Sequence, residues 1–547
     1  MIRTKYIKHS LNSWSILSFI FISLIIFPNL NILMNLINKP NENWTHIKTY
    51  LLNDYIINSM ILVIFTGILT TIIGISLSWI ISAYDFPGRK FFEWGLILPL
   101  AIPPYIAAYT YNGILDYTGV IQATLRNHFN IQLSQKYFDI MSMKGSIFIF
   151  TIFLFPYVYI ITKSFLEKQS AALIENARLL GRSQLEIFIH VVLPISRASI
   201  IGGVSLVILE VLNDYGVVKF FGITTFSTAI FKTWFGMGDI DSAVRISAIL
   251  LLIVFAILLI EKLFRGRKKY SFSNTKFRPI TRKELKDVKG ILAFLFCFAV
   301  FSLGFLIPTL QLAHWSLMTY KKILDIEFWR FTFSSLSIAL LSAGLIIIIA
   351  IIIANYCRMN DNFLSKLYSK TTAVGYSIPG AVIAIAVIIF FIALDNKLFW
   401  LYKLIDKNSS KLVLSTSITM LIFAYIIRFL AIGFNSIESG FEKIGKKFSE
   451  ASRTLGMNIT ETFLKVDFKM IKPSIISGFI LVFVDILKEL PLTLILRPFN
   501  FNTLATKSFE YANDEMIHEA SVSSLIIIII SIISIYIFNK ASDKEAS

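Results

Sequence analysis

The feature that most limits what this chain can become is its set of long apolar runs. About twelve stretches reach the roughly 20 mainly apolar residues needed to cross a hydrocarbon core. They fall near 13–36, 55–82, 93–114, 144–164, 198–218 and 242–263, then near 290–311, 332–356, 372–395, 411–434, 474–495 and 520–539. With 56% hydrophobic and only 16% charged residues, the chain reads as an all-α polytopic membrane protein, not a soluble multidomain one.

The net charge of +18 fits the same reading, because cytoplasmic loops of membrane proteins collect Lys and Arg. Nucleic acid is not implied, since the basic residues are scattered over many short loops. Arg3, Lys5 and Lys8 precede the first run, which is too long for a signal-peptide core and lacks an A-x-A-like cleavage site, so it reads as an anchor. With the N-terminus inside, the inner loops hold about 33 Lys and Arg against about 15 outside, as the positive-inside rule requires. An even number of spans returns the C-terminus, "NKASDKEAS", to the cytoplasm. Cys297 and Cys357 lie in or beside apolar runs and imply neither a disulfide framework nor a metal cluster.

The chain also repeats itself. "ENARLLGRSQLEIFIHVVLP" from Glu175 returns as "EASRTLGMNITETFLKVDFKMIKP" from Glu450, 275 residues later. Nearly the same offset sets "NSMILVIFTGILTTIIG" (Asn58) on "SSLSIALLSAGLIIIIA" (Ser334). It sets "LAIPPYIAA" on "YSIPGAVIA" through Pro103 and Pro379, and "LEVLNDYGVV" (Leu209) on "VDILKELPLT" (Val484). The expected architecture is therefore two parallel six-span halves, an even count per half preserving orientation. The divisions are an N-terminal anchor and outer loop (1–54), a first core (55–265), a basic linker (266–289), a leading helix and outer loop of the second half (290–331), and a second core (332–547).

The repeated polar loop reads as helix, turn, helix. Gly181 sits where a helix ends in a left-handed cap, and Ser183 with Glu186 makes the S-x-x-E capping box that opens the next. Gly456, Asn458 and Glu461 repeat the grammar. One such segment alone would suit an amphipathic helix resting on lipid headgroups. Two at matched places favour docking onto a symmetric pair of partners.

Here the sequence resembles the ATP-binding-cassette (ABC) importer permeases. Their coupling loop carries an E-A-A motif, a Gly and a later Leu-Pro, matched here by Glu175, Ala177, Gly181, Leu193 and Pro194. Glu450, Ala451 and Gly456 match it again, with Phe468 and Lys469 in place of Leu-Pro. The resemblance implies that both loops seat on ATP-binding subunits and pass their motion to the spans. It implies a partner dimer of two ATPase copies using ATP and Mg, a periplasmic binding protein, and residence in the inner membrane among lipid. This chain has no G-x-x-x-x-G-K-[ST] loop and no H-E-x-x-H or G-x-S-x-G arrangement. It is read as a translocation subunit without a cofactor, not an enzyme.

After each loop comes a span with unusual charge. Glu210, Asn213, Asp214 and Tyr215 mark the first, and Asp485, Lys488 and Glu489 the second. Ionised groups in a span cost roughly 2.5–3.5 kcal/mol each by insertion scales, and face a pathway or a partner. The i, i+4 spacing of Glu210 with Asp214, and of Asp485 with Glu489, predicts two acidic helix faces lining a cation route. Such oxygen donors suit a hard cation. The alternative is that these acids only pair with Lys219, Lys488 and Arg497. "LNDYGVVKFFGITTFSTAIFKTWF" and "KELPLTLILRPFNFNTLATKSFEYANDE" are similar to segments of the fused ferric-iron permeases. That resemblance implies Fe(III) as cargo, with transient contact at Asp214 and Glu489. Thiamine and phosphonate permeases share the layout or parts of it, and a twelve-helix secondary transporter remains the rival by topology.

Overall fold

The computed structural model describes residues 13–36, 39–167, 172–265, 281–360, 362–408 and 410–546. Positions 266–280 of the expected linker, and Arg3, Lys5 and Lys8, lie outside the described residues. Ten helices are long and apolar enough to cross a membrane, and two bent pairs bring the number to as many as twelve. The all-α expectation holds: among the described residues the one strand pairing is a two-residue parallel ladder, Tyr84 with Lys283 and Asp85 with Glu284.

Several runs that read as single spans are broken. The run near 93–114 consists of Arg89–Ala101 and Pro104–Phe129, meeting at 93°. The run near 372–395 divides into Phe363–Val374 and Gly380–Ile405. The breaks fall at matched prolines with matched backbones, Pro103 (φ −56°, ψ 140°) and Pro379 (φ −56°, ψ 141°). Proline lacks the N–H that would continue a helix and pushes the residue before it toward extended geometry. Ile102 accordingly sits at φ −100°, ψ 111°. The runs near 198–218 and 474–495 stop early, in helices Leu193–Asn213 and Lys472–Lys488. Short helices Gly216–Phe220 and Pro491–Leu496 follow each stop.

The leading helix of each half lies against the other half. From Ser13–Asn35, Trp14 meets Phe463 edge-on at 5.0 Å, Ser18 Oγ donates to Ile352 O at 3.4 Å, and Phe27 meets Phe390 at 5.7 Å. From the second half, Phe301 packs on Phe91 at 5.2 Å, and Leu303 O accepts from the Tyr111 hydroxyl at 2.5 Å. This exchange mixes residues of both halves in shared apolar clusters and leaves their charged helix ends facing each other between them.

Candidate functional site

The two polar loops fold as elbows with the same start and stop signals. Helix Ala172–Leu179 ends at Gly181 (φ 78°), and Lys447–Thr454 ends just before Gly456 (φ 90°). In both, the amide after the glycine reaches back five residues, Arg182 N to Ala177 O at 3.1 Å and Met457 N to Ser452 O at 3.3 Å. Only glycine takes that left-handed backbone without strain. The expected capping boxes are present. Ser183 N donates to Glu186 Oε2 at 2.8 Å, and Asn458 N to Glu461 Oε2 at 3.0 Å. Both reciprocal bonds also form.

A π-turn follows at the same register in each half, Phe188–Val192 and Phe463–Asp467. Beyond it the copies part. The first runs through exposed Pro194 into Leu193–Asn213, while the second bends by 74° into Lys472–Lys488. Among the motif residues Glu450 and Ala451 are exposed, Glu175 is half-exposed and Ala177 is buried; the counterpart of Ala177 by register is buried Ser452. Each tip shows bare apolar side chains at matched positions, Leu180 at 83% and Leu455 at 81% exposure.

Further along each helix, a cavity of about 120 Å³ opens where the broken helices of the two halves converge. Glu210, Asn213, Asp214, Asp485, Lys488 and Glu489 all line it. The expected shared helix faces are not present. Asp214 and Glu489 lie past the helix ends in extended backbone, at φ −66° with ψ 134° and φ −66° with ψ 124°. Each instead caps the short helix that follows. Asp214 Oδ1 accepts from Val217 N at 2.9 Å, and Glu489 Oε1 accepts from Leu492 N at 2.9 Å, both three residues on. Short polar acceptors at a helix start satisfy amides that have no intrahelical partner, which explains the stop at that register. Tyr215 is also displaced from its expected place. It does not line this chamber but stacks on Phe231 at 3.6 Å and faces a separate cavity.

Four residues of the chamber were not singled out from the sequence: Arg428, Tyr376, Tyr157 and Tyr105. Arg428 Nη1 donates to Asn213 Oδ1 at 2.8 Å, and its Nε lies 3.1 Å from Glu489 Oε2, an ion pair bent too far for a hydrogen bond. The Tyr376 hydroxyl donates to Glu210 Oε1 at 2.6 Å, and Gly380 N to Asn213 Oδ1 at 2.6 Å. A Cβ at position 380 would lie 2.9 Å from Arg428 Nη1 and 3.0 Å from Glu489 Oε1, so the close approach requires glycine. Lys488 Nζ donates to Leu100 O at 2.9 Å. The Tyr105 hydroxyl is buried on the wall without a partner among the described residues. Arg428 stood in plain view as the one charge inside "ITMLIFAYIIRFLAIGF". The tyrosines carry no such signal, since an aromatic in an apolar run is ordinary core.

Among the described residues no ion pair within 4 Å joins these acids to Lys219, Lys488 or Arg497, although the Lys488 charge acts on Asp485 and Glu210 across the chamber. Arg497 Nη2 binds Glu510 at 2.5 Å, and it is Arg428 that neutralises Glu489. The chamber thus holds four carboxylates against two cations. Among the described residues no three His, Cys, Asp or Glu side chains lie close enough to hold a metal ion.

Comparison with known proteins adds a family. The family described as binding-protein-dependent transport system inner membrane component matches residues 132–269 and 346–547. The Fe(3+)-transport system permease protein FbpB 2 of Haemophilus influenzae is 25% identical over 491 residues, 89% of this chain and 90% of that protein. The putative ferric transport system permease protein FbpB 1 of the same organism is 22% identical over 88% of this chain and 76% of its own length. A probable sulfate transport system permease protein of Chlorella vulgaris is 25% identical over 40% of this chain and 84% of its own length.

Proposed function

This chain belongs to the family of binding-protein-dependent transport system inner membrane components, and we propose that it is the translocation subunit of an ATP-driven ferric-iron importer. In this reading a periplasmic binding protein delivers Fe(III), and the two halves pass it inward between them. Two copies of a separate ATP-binding subunit, using ATP and Mg, grip the two elbows from the cytoplasm, where both termini also lie. The matched exposed leucines, Leu180 and Leu455, support such a pair of docking points.

The observation that carries the cargo is the sign of the chamber. Relatives named for iron and for sulfate share this fold of sequence, yet their cargoes have opposite charge. Four carboxylates against two cations attract a hard cation and repel an oxyanion. Asp214 and Glu489 offer the cation oxygen contacts once Arg428 swings off Glu489. Among the described residues the hydrogen bonds that join those helix ends across the halves come from Arg428, Tyr376, Gly380 and Lys488. Those bonds break when the halves separate, which makes the chamber a place of passage and not of storage.

Reconstitution with an ATP-binding subunit and a binding protein of its own importer tests this. Radiolabelled Fe(III) should accumulate in an ATP-dependent manner, with thiamine, phosphonate and sulfate excluded. Asp214→Asn with Glu489→Gln should reduce iron flux more than it reduces ATPase assembly. Uptake of sulfate or thiamine in place of iron would overturn the cargo, and normal iron flux in the double variant would return both acids to a structural role.

A further inference from the structure

The first half carries a second cavity, of about 500 Å³, at the end of helix Leu193–Asn213 away from the elbow. Its polar lining is Tyr55, Tyr215, Lys219, Thr224, Thr228 and Lys232, and among the described residues no aspartate or glutamate contributes to it. Lys219 and Lys232 are exposed, and no carboxylate pairs with either among the described residues. Neither phenol hydroxyl, of Tyr55 or of Tyr215, has a hydrogen-bond partner there. The nearby acid Asp239 is engaged elsewhere, accepting from Asn41 Nδ2 at 2.9 Å and from Ser242 Oγ at 2.7 Å. The cavity lining therefore presents two ammonium groups and two free hydroxyls to whatever enters; the carboxylate of Asp54, the chain neighbour of Tyr55, stands outside that lining.

The second half does not repeat this arrangement. By the same register Phe331 replaces Tyr55, Leu490 replaces Tyr215 and Leu494 replaces Lys219. Lys507, matching Lys232, lies 3.7 Å from Glu510, which also holds Arg497. Among the described residues the matching positions of the second half leave no unpaired cation, and the two lysines of the first half sit beside the acidic chamber. Tyr215 faces the cationic cavity, and its chain neighbour Gly216 lines the acidic one. The Tyr215–Phe231 stack stands at the cavity wall, with Phe509 of the second half 6.0 Å from Tyr215.

We propose that this cavity is an oxyanion site, which takes the carboxylate or phosphate ligand accompanying a ferric ion while the acidic chamber takes the metal. The inference rests on the cation reading of the chamber. Ferric ion in neutral water hydrolyses unless oxygen anions hold it, so the cargo arrives with anionic ligands. Two adjacent cavities of opposite sign are suited to drawing such a pair apart. The anion leaves the metal intact, keeping the electron pairs it had donated, and no redox step is involved. Lysine ammonium groups are strong point-charge donors to such oxygens.

The test uses the full chain in lipid nanodiscs, without iron. Binding of radiolabelled citrate and of inorganic phosphate is compared between the natural protein and Lys219→Gln/Lys232→Gln. Both lysines are exposed, so the variant should melt like the natural protein. Charge-assisted hydrogen bonds contribute about tenfold or more each, so citrate should bind on the order of 100-fold more weakly to the double variant. Equal binding to both proteins, or to neither, overturns the proposal. So does a defect that emerges only when the binding protein is added, because the lysines would then be meeting protein carboxylates. If citrate binding behaves as expected but the reconstituted importer moves no iron, the cargo assignment fails while the oxyanion site stands.

Discussion

The two elbows share their stop and start signals and their π-turn, yet they are seated on opposite chemistry. Under the first lies an apolar cluster of Trp79, Ala83, Leu166, Ile174, Ala177, Ile187 and Val192. Under the second, Asp467 occupies the position of Val192 and pairs with Arg358 at 3.0 Å, the two side chains being 2% and 7% exposed. Ser449 Oγ donates to Asp467 at 2.7 Å, Arg358 Nη2 reaches Gly445 O at 2.5 Å, and the Arg358 guanidinium lies over Phe441 at 4.6 Å. Trp14, from the leading helix of the first half, braces this second elbow through Phe463 and Thr460. What both halves retain is the geometry of the turn and a buried seat beneath it. The seat can be built from shape or from charge, but the two fail differently. An apolar seat loosens by degrees when trimmed, whereas a buried ion pair fails at once when one partner goes.

The largest expected effect is therefore at Asp467. Asp467→Ala leaves Arg358 buried and uncompensated, at a cost of about 3–5 kcal/mol. Replacing the pair together, Arg358→Met with Asp467→Val, converts the second seat to the chemistry of the first and should recover most of that loss. Hydrogen exchange over residues 447–470 would report both, and equal protection in the single and double variants would show that the pair is not what holds the elbow. Next comes the first seat. Ile187→Ala removes a fully buried side chain and should cost about 2–4 kcal/mol through lost burial and the cavity left behind. That loss should appear as faster exchange over residues 174–192, with 447–470 unchanged. If both elbows loosen together, they are one cooperative unit and the comparison collapses.

Much of this architecture was legible in the sequence because local rules decide it. The glycine caps, the capping boxes and the repeat register each depend on a few neighbouring residues, and each stands where its spacing placed it. What was not legible depended on partners far along the chain. Asp214 and Glu489 read as members of helix faces, because i, i+4 spacing carries no sign that the helix ends one residue earlier. The clue lay downstream, in Gly216 and Pro491, which open new short helices that those acids cap. Asp467 and Arg358 lie 109 positions apart (467 minus 358), and nothing local marks them as a pair. Nor does the sequence show that each leading helix crosses to the opposite half, since lipid-facing and protein-facing apolar runs look alike.

Two smaller perturbations sharpen the comparison by acting on what the elbows share. Gly181→Val and Gly456→Val face open space, with nothing within 4 Å of the added Cβ. Their cost is backbone strain alone, about 1–3 kcal/mol, and should be nearly equal in the two copies. In the proposed importer either change should lower coupling, read as ATP hydrolysed per ion moved, and the double change should abolish it. Retained uptake with normal ATPase stimulation in the double variant would separate these turns from coupling altogether.

The smallest effect is at the capping boxes, where the copies use different acceptors for the same job. Ser183→Ala and Asn458→Ala each remove the side-chain acceptor for the amide three residues on, which is 3.3 Å away in the first elbow and 2.8 Å in the second. Loss of such a cap costs about 1 kcal/mol. The shorter bond at Asn458 predicts the larger loss in the second copy, although the cap is exposed in both. Its carboxylate partner, Glu186 or Glu461, still holds the cap backbone amide after the change, so each helix start should fray without unwinding. Amide exchange at residues 184–187 and 459–462 measures the difference directly. If the first elbow frays more, the longer bond is the more important one, and the seat beneath, not the cap geometry, sets how firmly each helix begins.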